Sequence, residues 1–294
     1  MKTALVFPGQ GSQKIGMGAD LYAEFPEARA VFDEADEILG FSLSRLCFEG
    51  PENELMDTAN TQPAILVTSL AIHAALGSRA PQADYMAGHS LGEYSALVAA
   101  GALSFADAVH LTRQRGEWMK KAGQQAPGGM AAVLNLEDGA VEDVCRQAAQ
   151  ETGGVVQIAN YNSPGQIVIS GDETALNRAA ELARERGAKR VIPLAVSVAT
   201  HSALMANASD GLKAAIDRVS FRQSTVPVVG NVSARVLASE HDVAEELMQQ
   251  LTSPVRWTAS VQHMLAQGVE RFIEIGPGNV LTGLIRRIDR DVET

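Results

Sequence analysis

Short apolar runs alternate along the chain with stretches whose apolar residues recur at helical spacing. Ala4 to Phe7 is an apolar run ended by Pro8-Gly9 and reads as a first strand. Ala28 to Leu39 and Pro63 to Leu76 read as helices, the second opened by a proline suited to a first turn. Tyr85-Met86-Ala87 reads as another strand, and the helical run after it places Tyr94, Leu97, Val98 and Leu103 on one spacing, broken at Gly101. Near the C-terminal end, Arg271 to Ile275 is strand-like and runs through Gly276-Pro277-Gly278 into a helix from Asn279 to Ile288. This alternation predicts an α/β protein with a mainly parallel sheet.

The middle of the chain has another rhythm. Gly129 to Leu136 is strand-like and Asp138 to Glu151 helical; Val155 to Tyr161 and Gln166 to Ser170 are two strands joined by the turn Asn162-Ser163-Pro164-Gly165. Glu173 to Arg186 is helical again, and Arg190 to Val196 closes with a strand. The order βαββαβ is that of a ferredoxin-like sheet. It predicts a small subdomain over 126–196 inserted in a large one made of 1–125 and 197–294, with the site in the cleft between them.

Composition narrows the function. The 294 residues carry a net charge of −11, which argues against nucleic acid as a partner because phosphate backbones need clustered Lys and Arg. The N-terminal apolar run is too short for a signal peptide, and no stretch approaches the roughly 18 apolar residues of a membrane span. Cys47 and Cys145 stand far apart among apolar or helix-forming neighbours, as reduced core thiols of a cytoplasmic protein would. A metal role is not expected.

The chemistry centres on Gly88-His89-Ser90-Leu91-Gly92, between the strand at Tyr85 and the helix from Glu93. This is the form of a nucleophile elbow. A serine hydroxyl is a weak nucleophile, so it must stand clear of the backbone beside a base and beside N–H donors for an oxyanion. Strand, sharp turn and helix supply that exposure, and glycines two before and two after let the chains pack closely. Six histidines compete for the base. His73, His110 and His263 fall in helical runs, His241 in a polar stretch, and His89 adjoins the serine, where tight-turn neighbours point apart. His201 remains, where the chain returns from the small subdomain to the large one. An ordinary histidine pKa there would make activity fall as pH drops through about 6 to 7. No Asp or Glu stands out as a third member.

Several motifs extend the pattern: Phe7 to Gln13, the elbow through Ser95, Arg115 to Met119, Asn160 to Gln166, Ser197 to Met205, Pro254 to Trp257 and Gly276 to Gly278. Over nearly its whole length the chain resembles the malonyl-CoA:acyl carrier protein transacylases of bacterial type II fatty-acid synthesis. The resemblance implies an α/β-hydrolase-like large subdomain around the elbow, with Ser90 as nucleophile and His201 as general base. It assigns the orientation of the histidine to a main-chain carbonyl, matched by Gln249 or Gln250, and the oxyanion hole to the backbone N–H groups of Gln10 and Leu91. It also places Asn160 and Asn162 along the cleft. Arg113 and Arg115 are both able to pair with a free carboxylate, and spacing on a helix lets only one serve; the resemblance selects Arg115.

The implied reaction moves malonyl from malonyl-CoA to the phosphopantetheine thiol of acyl carrier protein through a malonyl-serine ester. It uses no metal or redox cofactor, touches neither nucleic acid nor membrane, and is expected of a cytoplasmic monomer. Leu91, after the nucleophile, fits malonyl over methylmalonyl, whereas Val198-Ala199-Thr200 matches neither pattern. Two alternatives share the elbow: a free-standing malonyl transferase of a polyketide or malonate-decarboxylating system, and a serine esterase, which would need no arginine in its acyl pocket. Lys189-Arg190 and Arg286-Arg287 are the clearest basic pairs for an acidic carrier.

Overall fold

The computed structural model of the chain describes residues 1–196 and 198–294. Ser197, which opens both the Ser197–Met205 motif and the second stretch of the large subdomain, lies outside the described residues.

Among the described residues eight strands form two sheets. β1 (Lys2–Phe7), β2 (Tyr85–Gly88), β7 (Val228–Val229) and β8 (Val269–Glu274) make one parallel sheet in the order β7-β2-β1-β8. Each of its faces is covered, as the crossover helices of a parallel sheet require. Leu5, Phe7 and Met86 point into a core with Phe32, Ile65, Leu66 and Leu97, whereas Ala4, Val6 and Ala87 point the other way, against Trp257, Val261 and Leu281. That two-sided burial is why Ala4 to Phe7 is a continuous apolar run rather than an alternating one.

The second sheet is antiparallel: β3 (Gly128–Leu134), β4 (Val156–Ser163), β5 (Gln166–Asp172) and β6 (Arg190–Pro193) in the order β4-β5-β3-β6. With the helices Asp138–Thr152 and Glu173–Glu185 between its strands, this is the split βαββαβ arrangement read from the sequence. One face buries Val133, Ile158, Ile167 and Ile169 under those helices; the other gathers Met130, Ala159 and Val168 toward the large sheet. Backbone bonds join the two parts: Tyr161 N–H donates to Val255 C=O at 2.9 Å, and Val255 N–H to Ala159 C=O at 2.8 Å.

Two elements depart furthest from the expected bounds. β6 ends at Pro193, not Val196, because after Leu194 N–H reaches Met130 C=O the chain leaves the sheet in a tight turn. The helix expected from Pro63 starts at Thr58, capped by the Asp57 side chain on Ala59 N–H, and carries Pro63 in its interior. A proline there frees the carbonyl four residues back. Arg113 Nη1 donates to that carbonyl, on Ala59, at 3.3 Å. Among the described residues no helix is long and apolar enough to cross a membrane. Cys47 and Cys145 are buried and free, and burial pushes both thiols up to about 12.

Candidate active site

β2 ends at Gly88 and the helix Gly92–Ala99 begins four residues later, so Ser90 is the middle of the three residues that turn between them, with φ 51°. A non-glycine residue in that left-handed region is uncommon and strained, which marks the position as one held by its surroundings. The flanking glycines are required by space. A Cβ on Gly88 would lie 1.9 Å from the Gly92 carbonyl carbon, and one on Gly92 would lie 2.0 Å from the Phe7 carbonyl oxygen. The elbow is thus pressed against the end of β1 and the Pro8–Gln10 segment that follows.

Ser90 Oγ lies 2.8 Å from His201 Nε2, and His201 Nδ1 lies 2.8 Å from the main-chain oxygen of Gln250. A carbonyl only accepts, so Nδ1 carries the proton and Nε2 is left as the acceptor facing the serine. Of the two glutamines the sequence left open, the structure places Gln250 here; Gln249 turns outward, its side chain on Glu245. His201 is 3% exposed, and burial, then the nearby Arg115 charge, push its pKa down to about 3. The ordinary histidine value expected from sequence is therefore corrected: burial removes the water that would stabilise imidazolium.

Arg115 lies on the helix Phe105–Gln125 and is 2% exposed. Nη2 donates to Ser90 Oγ at 3.1 Å and to Gln250 Oε1 at 2.9 Å, and Nη1 to Gln62 Oε1 at 2.7 Å. All of these acceptors are neutral, and Nε finds none among the described residues. A buried guanidinium in contact with no carboxylate is poised for one. Arg113 stands on another face, with its fork on Glu117 and Asn60. Burial lowers the pKa of Arg115, opposed by Tyr94 and Glu93.

A cavity of about 220 Å³ opens beside these groups and is lined by Gln10, Ser90, Arg115, Asn160, Asn162 and His201. A more open groove of about 540 Å³ shares Gln10, Val196 and Val198 with it but contains none of Ser90, Arg115 or His201, so it is not where the chemistry converges. The N–H groups of Gln10 and Leu91 are taken by no acceptor among the described residues, whereas Ser90 N–H is already given to Asn231 Oδ1 at 2.7 Å. Asn162 Oδ1 meets His89 Nε2 at 2.8 Å, which turns the His89 ring away from the serine and onto Trp257.

Three residues of this centre were not singled out from sequence: Gln62, Glu93 and Asn231. Asn231 Nδ2 donates to Gly88 C=O at 2.6 Å, so its amide spans both sides of the elbow. Gln62 Nε2 donates to Thr58 Oγ1 at 3.0 Å, and Thr58 Oγ1 donates to Gln10 Oε1 at 3.0 Å, which links the arginine to the proposed oxyanion segment. Only Asn231 carries a signal in the sequence, a polar side chain within the apolar stretch Val228-Val229-Gly230-Asn231-Val232.

A half-buried serine at an elbow, a histidine fixed by a carbonyl and an arginine aimed at the serine define an acyl-transferring class. The acyl transferase domain profile matches residues 4–293, and the chain belongs to that family. It is 50% identical over 293 residues to the malonyl CoA-acyl carrier protein transacylase of Bacillus subtilis (strain 168), covering 100% of this chain and 92% of that protein. Its counterpart in Escherichia coli (strain K12) is 47% identical over 288 residues, covering 97% and 92%. Among solved structures, an acyl carrier protein S-malonyltransferase from Vibrio cholerae superimposes with a TM-score of 0.96 at 46% identity, covering 100% of this chain and 95% of that one. A malonyl-transacylase in complex with a type II PKS acyl-carrier protein gives 0.96 at 43% identity, covering 100% and 94%.

Proposed function

We propose that this chain moves malonyl from malonyl-CoA to the phosphopantetheine thiol of an acyl carrier protein through an ester on Ser90. One observation carries the assignment of roles: Ser90 Oγ is within hydrogen-bond reach of both His201 Nε2 and Arg115 Nη2. In the first half-reaction Ser90 Oγ attacks the thioester carbonyl and its proton passes to His201 Nε2. The oxyanion faces the free N–H groups of Gln10 and Leu91. Collapse breaks the C–S bond, and the CoA thiolate leaves with the proton from His201.

The second half-reaction runs the same steps with the carrier thiol as nucleophile. Its proton goes to His201, its sulfur attacks the ester carbonyl, and the Ser90 alkoxide takes the proton back as the malonyl thioester departs. Arg115 holds the malonyl carboxylate throughout, which an esterase would not need. These steps use side chains and backbone donors alone and call on no metal or redox cofactor. A carrier shared with fatty-acid elongation, a cytoplasmic location and a monomeric state complete the reading. Brief exposure to malonyl-CoA and an acid quench should add one malonyl mass to the wild type and none to Ser90→Ala. An adduct persisting in the alanine variant places the nucleophile elsewhere.

A further inference from the structure

Glu93 is the only charged residue of the helix Gly92–Ala99, is 0% exposed, and takes no part in the steps above. Both of its oxygens serve as acceptors. Oε1 takes the backbone N–H of Asn231 at 3.0 Å, and Oε2 takes the side-chain Nε2 of Gln250. The same Gln250 amide presents its oxygen to Arg115 Nη2 and its nitrogen to Ser90 C=O as well.

An amide side chain has two ends of similar shape and opposite hydrogen-bonding character. Which end faces Arg115 is decided by its other partners. Here both carboxyl oxygens accept, so the amide turns its nitrogen toward Glu93 and its oxygen faces the guanidinium. We infer that Glu93 is a positioning residue for the carboxylate-reading arginine: it fixes the orientation of the Gln250 amide, and through it the placement of Arg115 over Ser90. The inference rests on the function proposed above.

The nearby Glu246 does not compete for this task, because its oxygens take the N–H groups of Val232 and Ser233. Burial first, and Glu246 second, hold the pKa of Glu93 well above the ordinary carboxyl value, against the pull of Gln250, Asn231 and Arg115. A carboxyl in so unfavourable a place has a specific use for its two acceptors.

The test is the ratio of malonyl-CoA to acetyl-CoA in forming the acyl-Ser90 ester, measured as kcat/KM on the full chain. Glu93→Gln keeps an acceptor for Asn231 N–H but sets an NH2 group against that of Gln250, so the Gln250 amide must turn and offer its nitrogen to Arg115. The malonyl rate should fall about 10- to 100-fold, the scale of a hydrogen bond to a charged group, with the acetyl rate changed less than about threefold. Gln250→Ala keeps the main-chain carbonyl that orients His201 and should lower the same ratio. The double variant should be no worse in that ratio than Gln250→Ala alone, since Glu93 acts through that side chain. An equal fall for both substrates in Glu93→Gln, or effects that multiply in the double variant, overturns the inference. Should Glu93→Gln fail to fold, Gln250→Ala decides alone, because an unchanged ratio in it removes the link. A wild type that takes up no malonyl overturns the proposed function itself, a result distinct from an unmoved ratio.

Discussion

Arg115 Nη2 stands 3.1 Å from Ser90 Oγ. The group proposed to read the carboxylate therefore rests on the proposed nucleophile. Malonyl draws the guanidinium onto its own charge, whereas acetyl leaves a buried cation with neutral partners only. Removing one member of a buried charge pair costs about 2–5 kcal/mol. Arg115→Ala should accordingly lower kcat/KM for malonyl-CoA by roughly 30-fold to several thousand-fold. Acetyl transfer should hold or rise, because the uncompensated charge has gone. Both substrates on both proteins are the measurement, and a common factor for the two would mean that Arg115 holds the fold rather than reads the acyl group.

The pKa of His201, pushed down to about 3, moves the acid limb of activity. The neutral imidazole is the competent form, so a lowered pKa keeps it populated to lower pH. The acid limb of kcat/KM, which reports the free enzyme, should lie well below 6. Bound malonyl offsets the Arg115 charge, the second cause of the depression after burial. The limb of kcat should therefore lie at higher pH than that of kcat/KM. His201→Ala should lose about 100-fold or more and flatten both limbs. Coincident limbs would show that the substrate carboxylate does not reach Arg115.

Stability follows the same group. Between its folded pKa near 3 and the unfolded value near 6.5, the unfolded chain binds the proton and the folded chain does not, so stability rises with pH across that window. One such group contributes at most about 1.4 kcal/mol per pH unit. Urea unfolding from pH 4 to 6 should show that slope in the wild type, less steep by about this amount in His201→Gln. Parallel slopes would mean that the imidazole titrates in the folded protein.

Much of this was legible in the chain because it is local. Glycines around Ser90, the βαββαβ order and the apolar run of β1 are patterns of neighbouring residues, and they fold as their spacing says. What escaped depends on residues distant in sequence. Gln249 and Gln250 are equivalent until the end of their helix is set against His201, and Arg113 and Arg115 differ only in the face that each presents. Pro63 misled because a first-turn proline is the usual case, whereas here Arg113 supplies the donor that Pro63 itself lacks. Glu93 bonds to partners 138 and 157 positions away, Gln62 to Arg115 across 53, and Asn231 to Ser90 and Gly88 across 141 and 143.

Gly92 shows how tightly the elbow depends on the first strand. A methyl there would lie 2.0 Å from Phe7 C=O and 2.8 Å from Pro8 C=O, and neither backbone group is free to give way. Gly92→Ala should push the Pro8–Gln10 segment off the elbow, opening the space between the Gln10 and Leu91 N–H groups. Loss of at least the about 1–3 kcal/mol of an overpacked core is expected, with esterification of Ser90 falling further than stability alone explains. Thermal melting and the malonyl adduct assay on one preparation check both; a variant with wild-type acylation would detach the Gln10 segment from the reaction.

Carrier recognition is the last expectation, and it turns on two basic pairs brought to one rim. Lys189 precedes β6 and Arg190 opens it, both exposed, and Arg190 lies in register with Leu134 of β3. Gln166 lies in register with Leu134 from the other side, on β5, and its Oε1 takes Arg287 Nη1. Gln166 also lines the cavity, together with Leu194 and Val280, two partly apolar shoulders left exposed at its mouth. A chain of net charge −11 needs a local positive rim to receive an acidic carrier, and this rim stands where a phosphopantetheine arm would enter. Charge reversal at Lys189-Arg190 or Arg286-Arg287 should raise the KM for carrier protein and leave that for malonyl-CoA nearly unchanged, with an effect that shrinks as salt is added. The rim is retired as a docking surface by equal carrier KM values in the wild type and both reversed variants at low salt.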